Sequence, residues 1–186
     1  IQTLDDLSGH TVSIGAEESG TERNATQILE FAGMPSSLVA TKNLDYIEAT
    51  KELKAGDIDA FFCTAGLTTT VIDELSNECD IRLIPLTDTV ISKMLESSLA
   101  YTSEVIPAGT YTGQTTDIST IGVKSVLITK ADVSDDTIEQ LTSLLFEKEN
   151  EISYSNSLKL ELTYDFATDD IPIPFHDGAK RYYKAC

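Results

Sequence analysis

Apolar positions along the first hundred residues change period in a regular alternation. Val12 and Ile14 belong to an extended run over 11–16 that Gly9 precedes and Gly15 interrupts. Ile28, Leu29, Phe31 and Ala32 then recur at helical spacing, so residues 25–32 predict a helix. Ile58-Asp59-Ala60-Phe61-Phe62-Cys63 predicts a second strand, preceded by a helix over 46–55 that Gly56 stops. A helix over 69–78 gathers Val71, Ile72 and Leu75 on one face. A short strand at 81–86 follows, and then a helix at 88–99 with Val90, Ile91, Met94 and Leu95 inward. Strands alternating with helices imply βαβ units, a mostly parallel sheet and right-handed crossovers. Ligands on such sheets bind outside the carboxyl ends of the strands, which places residues 15–21 and Thr64-Ala65-Gly66 at that edge.

Beyond Tyr101 the pattern changes. Ile106-Pro107-Ala108-Gly109-Thr110-Tyr111-Thr112-Gly113-Gln114 is a loop rich in proline and glycine. Residues 118–129 predict a long strand whose one charge is Lys124. A helix is expected over 135–154, with Ser134 as its N-cap and acidic residues in its first turn. Residues 156–170 are polar and read as loop or frayed helix. Ile171-Pro172-Ile173-Pro174 is extended, because a residue before proline avoids the helical region. A short helix over 178–184 follows. There are no internal repeats and no low-complexity tract.

A chain of 186 residues can bury a sizeable core as one domain or two small ones. Its net charge of -18, with Lys and Arg totalling 13, excludes nucleic acid as a partner and argues against charge-driven docking on anionic lipid. No apolar run approaches the roughly 20 residues of a membrane helix. No charged segment leads into an apolar stretch at the start, as a signal peptide would require. The chain begins at Ile1 and reads as part of something longer, from which a targeting region is missing. Cys63, Cys79 and Cys186 are too few and too irregular for a disulfide framework or a zinc site. Cys63 lies in an apolar run and reads as a buried small hydrophobe, and the odd count leaves a thiol free or paired between chains.

The candidate chemistry centres on Ser19-Gly20-Thr21-Glu22, which joins a strand to a helix. The first turn of a helix has unpaired N–H donors and the positive end of the helix dipole, so it can hold an anion. The same four residues also read as an S-x-x-E capping box that satisfies those donors internally. Catalysis finds less support. His10 and His176 are the only histidines, the first in a turn and the second placed to pack or cap before the last helix. No G-x-S-x-G elbow, Walker loop or His-x-x-Glu pattern is present. The carboxylates are scattered as on a solvated face. The chain is expected to be no enzyme and to need neither metal nor cofactor.

Several phrases in order carry a resemblance. They are Asp5, Leu7, Ser8 and Gly9 before the first strand, Ser19-Gly20-Thr21-Glu22 after it, and Ile58-Asp59-Ala60-Phe61-Phe62. Ile106-Pro107-Ala108-Gly109-Thr110-Tyr111 and the closing Pro172-Ile173-Pro174-Phe175-His176, Gly178-Ala179 and Arg181-Tyr182-Tyr183 complete the set. From Ile1 to Lys184 the chain resembles the TAXI family of solute-binding proteins, which serve TRAP-type transporters. The resemblance implies a type II periplasmic-binding-protein fold, two α/β lobes closing on a ligand. Residues 1–105 would form lobe two, with its mostly parallel sheet complete, and 106–186 the C-terminal portion of lobe one, whose N-terminal half is absent. The strand within 118–129 would then lack its partner and invite a dimer of this fragment.

The resemblance further implies a small anionic or zwitterionic solute, a glutamate-like carboxylate or amino acid, passed to a TRAP permease at an extracytoplasmic location. Carried over, the contacts are Ser19, Gly20 and Thr21, with Thr64, Ala65 and Gly66 across the cleft, and Thr110 and Tyr111 on the hinge side or as turn residues. Hydroxyls and backbone amides suit an anion without adding charge. Three positions depart from the pattern. Glu17 and Glu18 precede the loop, within a Debye length (about 8 Å) of any bound anion, unless they point to solvent or the ligand carries an amine. Leu67 and Thr68 replace a proline-containing turn. Asp177 stands where relatives often have proline, and aspartate also starts helices. The same fold serves as a sensory module tethered to other domains, the alternative to transport. A C-terminal motif that reaches Lys184 favours transport.

Overall fold

The run Thr11-Val12-Ser13 becomes the central strand because both of its edges find partners. In the computed structural model, which describes residues 1–148 and 162–185, β1 (Thr11–Ser13) pairs in parallel with β2 (Ala40–Lys42) and with β3 (Ala60–Phe61). Val12 stands opposite Thr41 on one side and Ala60 on the other, which gives the order β2-β1-β3. The Asp59 N–H donates to Thr11 O and the Phe62 N–H to Ser13 O, carrying the ladder one residue past each end of β3.

Seven α-helices lie among the described residues. α1 (Gly20–Phe31) connects β1 to β2, and α2 (Tyr46–Ala55) connects β2 to β3. With β1 in the middle, the chain leaves it in one direction and crosses back in the other. Two right-handed crossovers of opposite sense put α1 and α2 on opposite faces of the sheet. α3 (Thr70–Glu78) packs beside α2, and α4 (Asp88–Ser97) beside α1. The core lies on the α1 side, where Leu7, Val12, Ile28, Leu29, Val90 and Met94 are buried together. Helix ends are made locally. Asp45 and Glu48 form a reciprocal capping box at the start of α2, and Gly56 closes it at φ 79°, a left-handed backbone favourable only to glycine. Thr87 Oγ1 accepts from the Val90 N–H at the start of α4.

The chain divides into two compact units, Ile1–Gly122 and Val123–Cys186. The first includes β4 (Tyr101–Ile106) and most of β5 (Ile118–Val123), which pair in a separate two-stranded sheet. In the second, Ser134 caps α5 (Asp135–Glu147) by accepting the Thr137 N–H, and α6 (Tyr164–Thr168) and α7 (Asp177–Ala185) follow. His176 Nδ1 accepts the Gly178 N–H at 3.1 Å, so the capping role expected of this histidine is realised. α5 and α7 approach so closely that a Cβ on Gly178 would overlap Asp135 O. Arg181 spans the same contact, donating to Asp135 at 2.7 Å and Asp136 at 3.0 Å. Lys124 Nζ donates to Phe166 O and Asp169 O, closing the C-terminal end of α6.

Several expectations are corrected. Residues 81–86 are not a strand: Leu86 is buried and donates its N–H to Ser119 O, but no ladder extends from it. Leu95 is 37% exposed, because Val90, Ile91 and Met94 already fill the buried stripe of α4. The strand predicted over 118–129 ends at Val123, and it is not left unpaired, because β4, unforeseen in the sequence, lies beside it. Leu127 and Ile128 beyond it are 68% and 74% exposed. β2 was likewise unforeseen. The expected helix over 135–154 is seen to Glu147, residues 149–161 lie outside the described residues, and the described part of 156–170 forms the short helix Tyr164–Thr168.

Candidate functional site

The order β2-β1-β3 makes a topological switch point between β1 and β3, where the connections leave in opposite directions; sheets of this kind bind ligands in the crevice outside the carboxyl ends at such a point. The loop over 14–19 follows β1 and the loop over 62–69 follows β3. Both loops singled out in the sequence thus flank that crevice. Asn24 Nδ2 of α1 donates to Thr64 Oγ1 at 3.3 Å, and Thr21 Oγ1 lies 2.8 Å from Tyr46 Oη. Ser19, Gly20 and Thr21 are therefore brought together with Thr64, Ala65 and Gly66.

Ser19 is the N-cap of α1, with Oγ accepting the Glu22 N–H at 3.1 Å. The second arm of the expected capping box goes elsewhere. Ser19 donates its own N–H to Ala16 O, so the Glu22 carboxylate takes the Glu18 N–H instead, at 2.6 Å. Glu18 sits at φ 61°, which turns its N–H toward the helix. Asn43 Nδ2 holds the other Glu22 oxygen at 2.7 Å and also donates to Gly15 O. One carboxylate of the chain itself therefore compensates the positive end of α1. The N–H groups of Gly20 and Thr21, and of Ala65 and Gly66, have no partner among the described residues. Glu17 and Glu18 are exposed, pointing to solvent.

Gly15 explains the tight path of this loop. Its φ is +100°, and an added Cβ would lie 2.7 Å from Thr21 Cβ and 3.0 Å from Ser19 Oγ. Only glycine permits both the backbone and the close approach.

Tyr46, the first residue of α2, escaped the sequence reading. Its hydroxyl donates to Thr64 O at 2.9 Å and accepts the Thr64 N–H at 3.0 Å. With its single proton committed to the carbonyl, the 2.8 Å contact requires Thr21 to donate. Thr21 is 7% exposed, and with its hydroxyl proton spent on Tyr46 its remaining donor is its backbone N–H. The available signal was an aromatic residue with a polar tip directly after an N-cap, a placement that aims its ring back over the loops. Asn43 was missed with β2, which it follows.

The hinge-side candidates are engaged in their own surroundings. Thr110 bonds Pro107 O through both N–H and Oγ1, and the Tyr111 hydroxyl accepts the Thr69 N–H before α3 at 3.2 Å. Burial raises the Tyr111 phenol above its ordinary range. Leu67 is exposed, and Thr68 turns the chain at φ 59°. A concavity of about 520 Å³ runs along α1 from Glu18 and Ser19 to Glu30. The described residues contain no group of three or more His, Cys, Asp or Glu side chains placed to hold a metal. No described helix is long and apolar enough to cross a membrane.

A parallel sheet with a switch point between β1 and β3, flanked by two amide-rich loops, defines a partial periplasmic-binding-protein-like α/β fold. The sequence profile of the NMT1-like family matches residues 1–185. The chain belongs to that family, whose members are binding proteins with a solute-binding role in general and are typically extracytoplasmic.

Proposed function

We propose that this protein is an extracytoplasmic receptor that captures a small carboxylate or amino acid, glutamate-like in character, and delivers it to the permease of a TRAP-type transporter. The observation that carries the reading is the pair of loops at the switch point, which present unpartnered N–H groups from Gly20, Thr21, Ala65 and Gly66 together with the Ser19 and Thr64 hydroxyls. Backbone amides bind a carboxylate oxygen without an added counter-charge. The resemblance to TAXI proteins narrows the general solute-binding role to this transporter class. In this reading residues 1–105 are lobe two, 106–186 return to lobe one, and Thr110 and Tyr111 stand toward the hinge. Solute closes the lobes by hinge motion, and the permease recognises the closed form. Binding is the whole task, with no catalytic step and no cofactor. Self-association, whose first rationale disappears with the pairing of β5, rests only on the exposed Leu127 and Ile128.

The test is thermal stability of the mature protein against glutamate, glutamine, 2-oxoglutarate, succinate and neutral amino acids. A ligand at 100 times its Kd adds about 2.7 kcal/mol. A selective shift with carboxylate-bearing compounds is expected. No shift across the panel overturns the solute assignment and turns attention to a sensory role for the same fold.

A further inference from the structure

We propose that Tyr46 is the positioning residue of this site, its one hydroxyl fixing the Thr64–Ala65 peptide so that the Ala65 N–H faces outward as a donor to an acceptor oxygen of the solute. The inference rests on the solute-receptor reading above and assigns within it which amide meets the ligand and what aims it.

The geometry leads there in three steps. Tyr46 Oη binds both polar groups of one residue, the Thr64 N–H at 3.0 Å and the Thr64 carbonyl at 2.9 Å, so Thr64 is held by two points on a single atom. Asn24 Nδ2 adds a third hold on the Thr64 side chain at 3.3 Å. Thr64 is therefore a fixed backbone unit, although the loop around it is exposed. Across a planar trans peptide the carbonyl of one residue and the N–H of the next point in opposite directions. No peptide bond among the described residues is cis, so a Thr64 carbonyl directed at Tyr46 sends the Ala65 N–H away from it. That N–H has no partner among the described residues. The same hydroxyl receives the Thr21 hydroxyl at 2.8 Å, so the spacing of the two flanking loops is set from one atom. Thr64 spends its N–H and carbonyl on Tyr46, and Thr21 its hydroxyl proton. What the β3 side has left to offer is the Ala65 amide, flanked by the Gly66 amide and the Thr64 hydroxyl proton, donors that select a carboxylate or carbonyl oxygen rather than an ammonium group.

Tyr46→Phe keeps the ring and deletes the hydroxyl. The probes are L-glutamate and sodium succinate, titrated calorimetrically into the mature wild-type protein and the variant. Affinity for the probe that binds is expected to fall about tenfold, equivalent to about 1.4 kcal/mol, while the melting temperature without probe changes by only a few degrees. In wild-type protein the Ala65 amide resonance is expected to move on saturation with that probe, whereas the Thr64 amide stays protected from hydrogen exchange with or without it. This second measurement needs no variant and so stands even if Tyr46→Phe folds poorly. Wild-type protein that titrates with neither probe overturns this inference together with the glutamate-like assignment of the solute. Wild-type protein that binds a probe with an unmoved Ala65 amide, or a folded variant that binds it equally well, overturns the positioning role alone.

Discussion

Replacing Gly15 by alanine tests the tightest turn of the candidate site, and Gly9→Ala supplies its internal comparison. Both glycines have positive φ, +100° and +82°, so alanine carries backbone strain at each. A left-handed backbone costs a non-glycine residue roughly 1–2 kcal/mol. At Gly9 nothing lies within 4 Å of the added Cβ, and the cost stops there. At Gly15 the Cβ would meet Thr21 Cβ at 2.7 Å and Thr21 Cγ2 at 2.8 Å. Neither neighbour is the loose end of a long side chain: Thr21 is buried in the first turn of α1 and bonded to Tyr46. Overpacking of this kind costs a further 1–3 kcal/mol or so. Gly15→Ala is therefore expected to lose about 3.5 kcal/mol and Gly9→Ala about 1.5, taking the middle of these ranges. In a chain of this size the first corresponds to about 7–14 °C in Tm. Urea unfolding of the three proteins, with unchanged slope and shifted midpoint, reads the difference directly. Equal losses for the two variants would refute the argument, because they would mean that the loop gives way without resisting the methyl group.

Asp45→Ala removes a capping box in which both arms are formed, and should cost about 1 kcal/mol, with hydrogen exchange rising first in the opening turn of α2. Asp59 accepts the Thr11 N–H and lies 3.2 Å from His10, and these contacts hold its carboxyl below the ordinary range. Its contribution to stability is therefore present above about pH 4, the unfolded value, and is lost as pH falls through the lower folded value. Acid titration of stability should show Asp59→Asn less stable than wild type near neutrality, with a flatter curve in that window, so that the two proteins converge at low pH. Burial pushes the Cys63 thiol up to about 11, so at pH 8 only roughly one molecule in a thousand presents the thiolate there. Mass spectrometry after brief iodoacetamide treatment should find Cys63 unmodified in native protein and alkylated on unfolding. Ready native labelling would contradict its burial.

What the sequence determined by itself is what a few neighbouring residues can settle. The helix Tyr46–Ala55 and its stop at Gly56, the N-cap roles of Ser19 and Ser134, and the cap at His176 all depend on groups within one turn. The alternation of strand and helix, and with it the carboxyl edge carrying Ser19, Gly20, Thr21, Thr64, Ala65 and Gly66, followed from periodicity. Strands escaped where pairing alone defines them. Ala40-Thr41-Lys42 and β4 have no alternation that distinguishes them, and each is a strand because another strand lies beside it. Residues 81–86 have the apolar composition of a strand, and Leu86 bonds Ser119 O, yet no ladder extends from them. The same distinction divides the site. Which residues carry hydroxyls and free amides is written in the chain, but where each proton goes is decided in three dimensions. Glu22 turned to Glu18 because Ser19 was already bound to Ala16, and Tyr46 reached Thr21 and Thr64 only because opposed crossovers bring three loops to one edge. Hydrogen bonds are short-ranged and saturable, so their partners are settled only when the chain has folded.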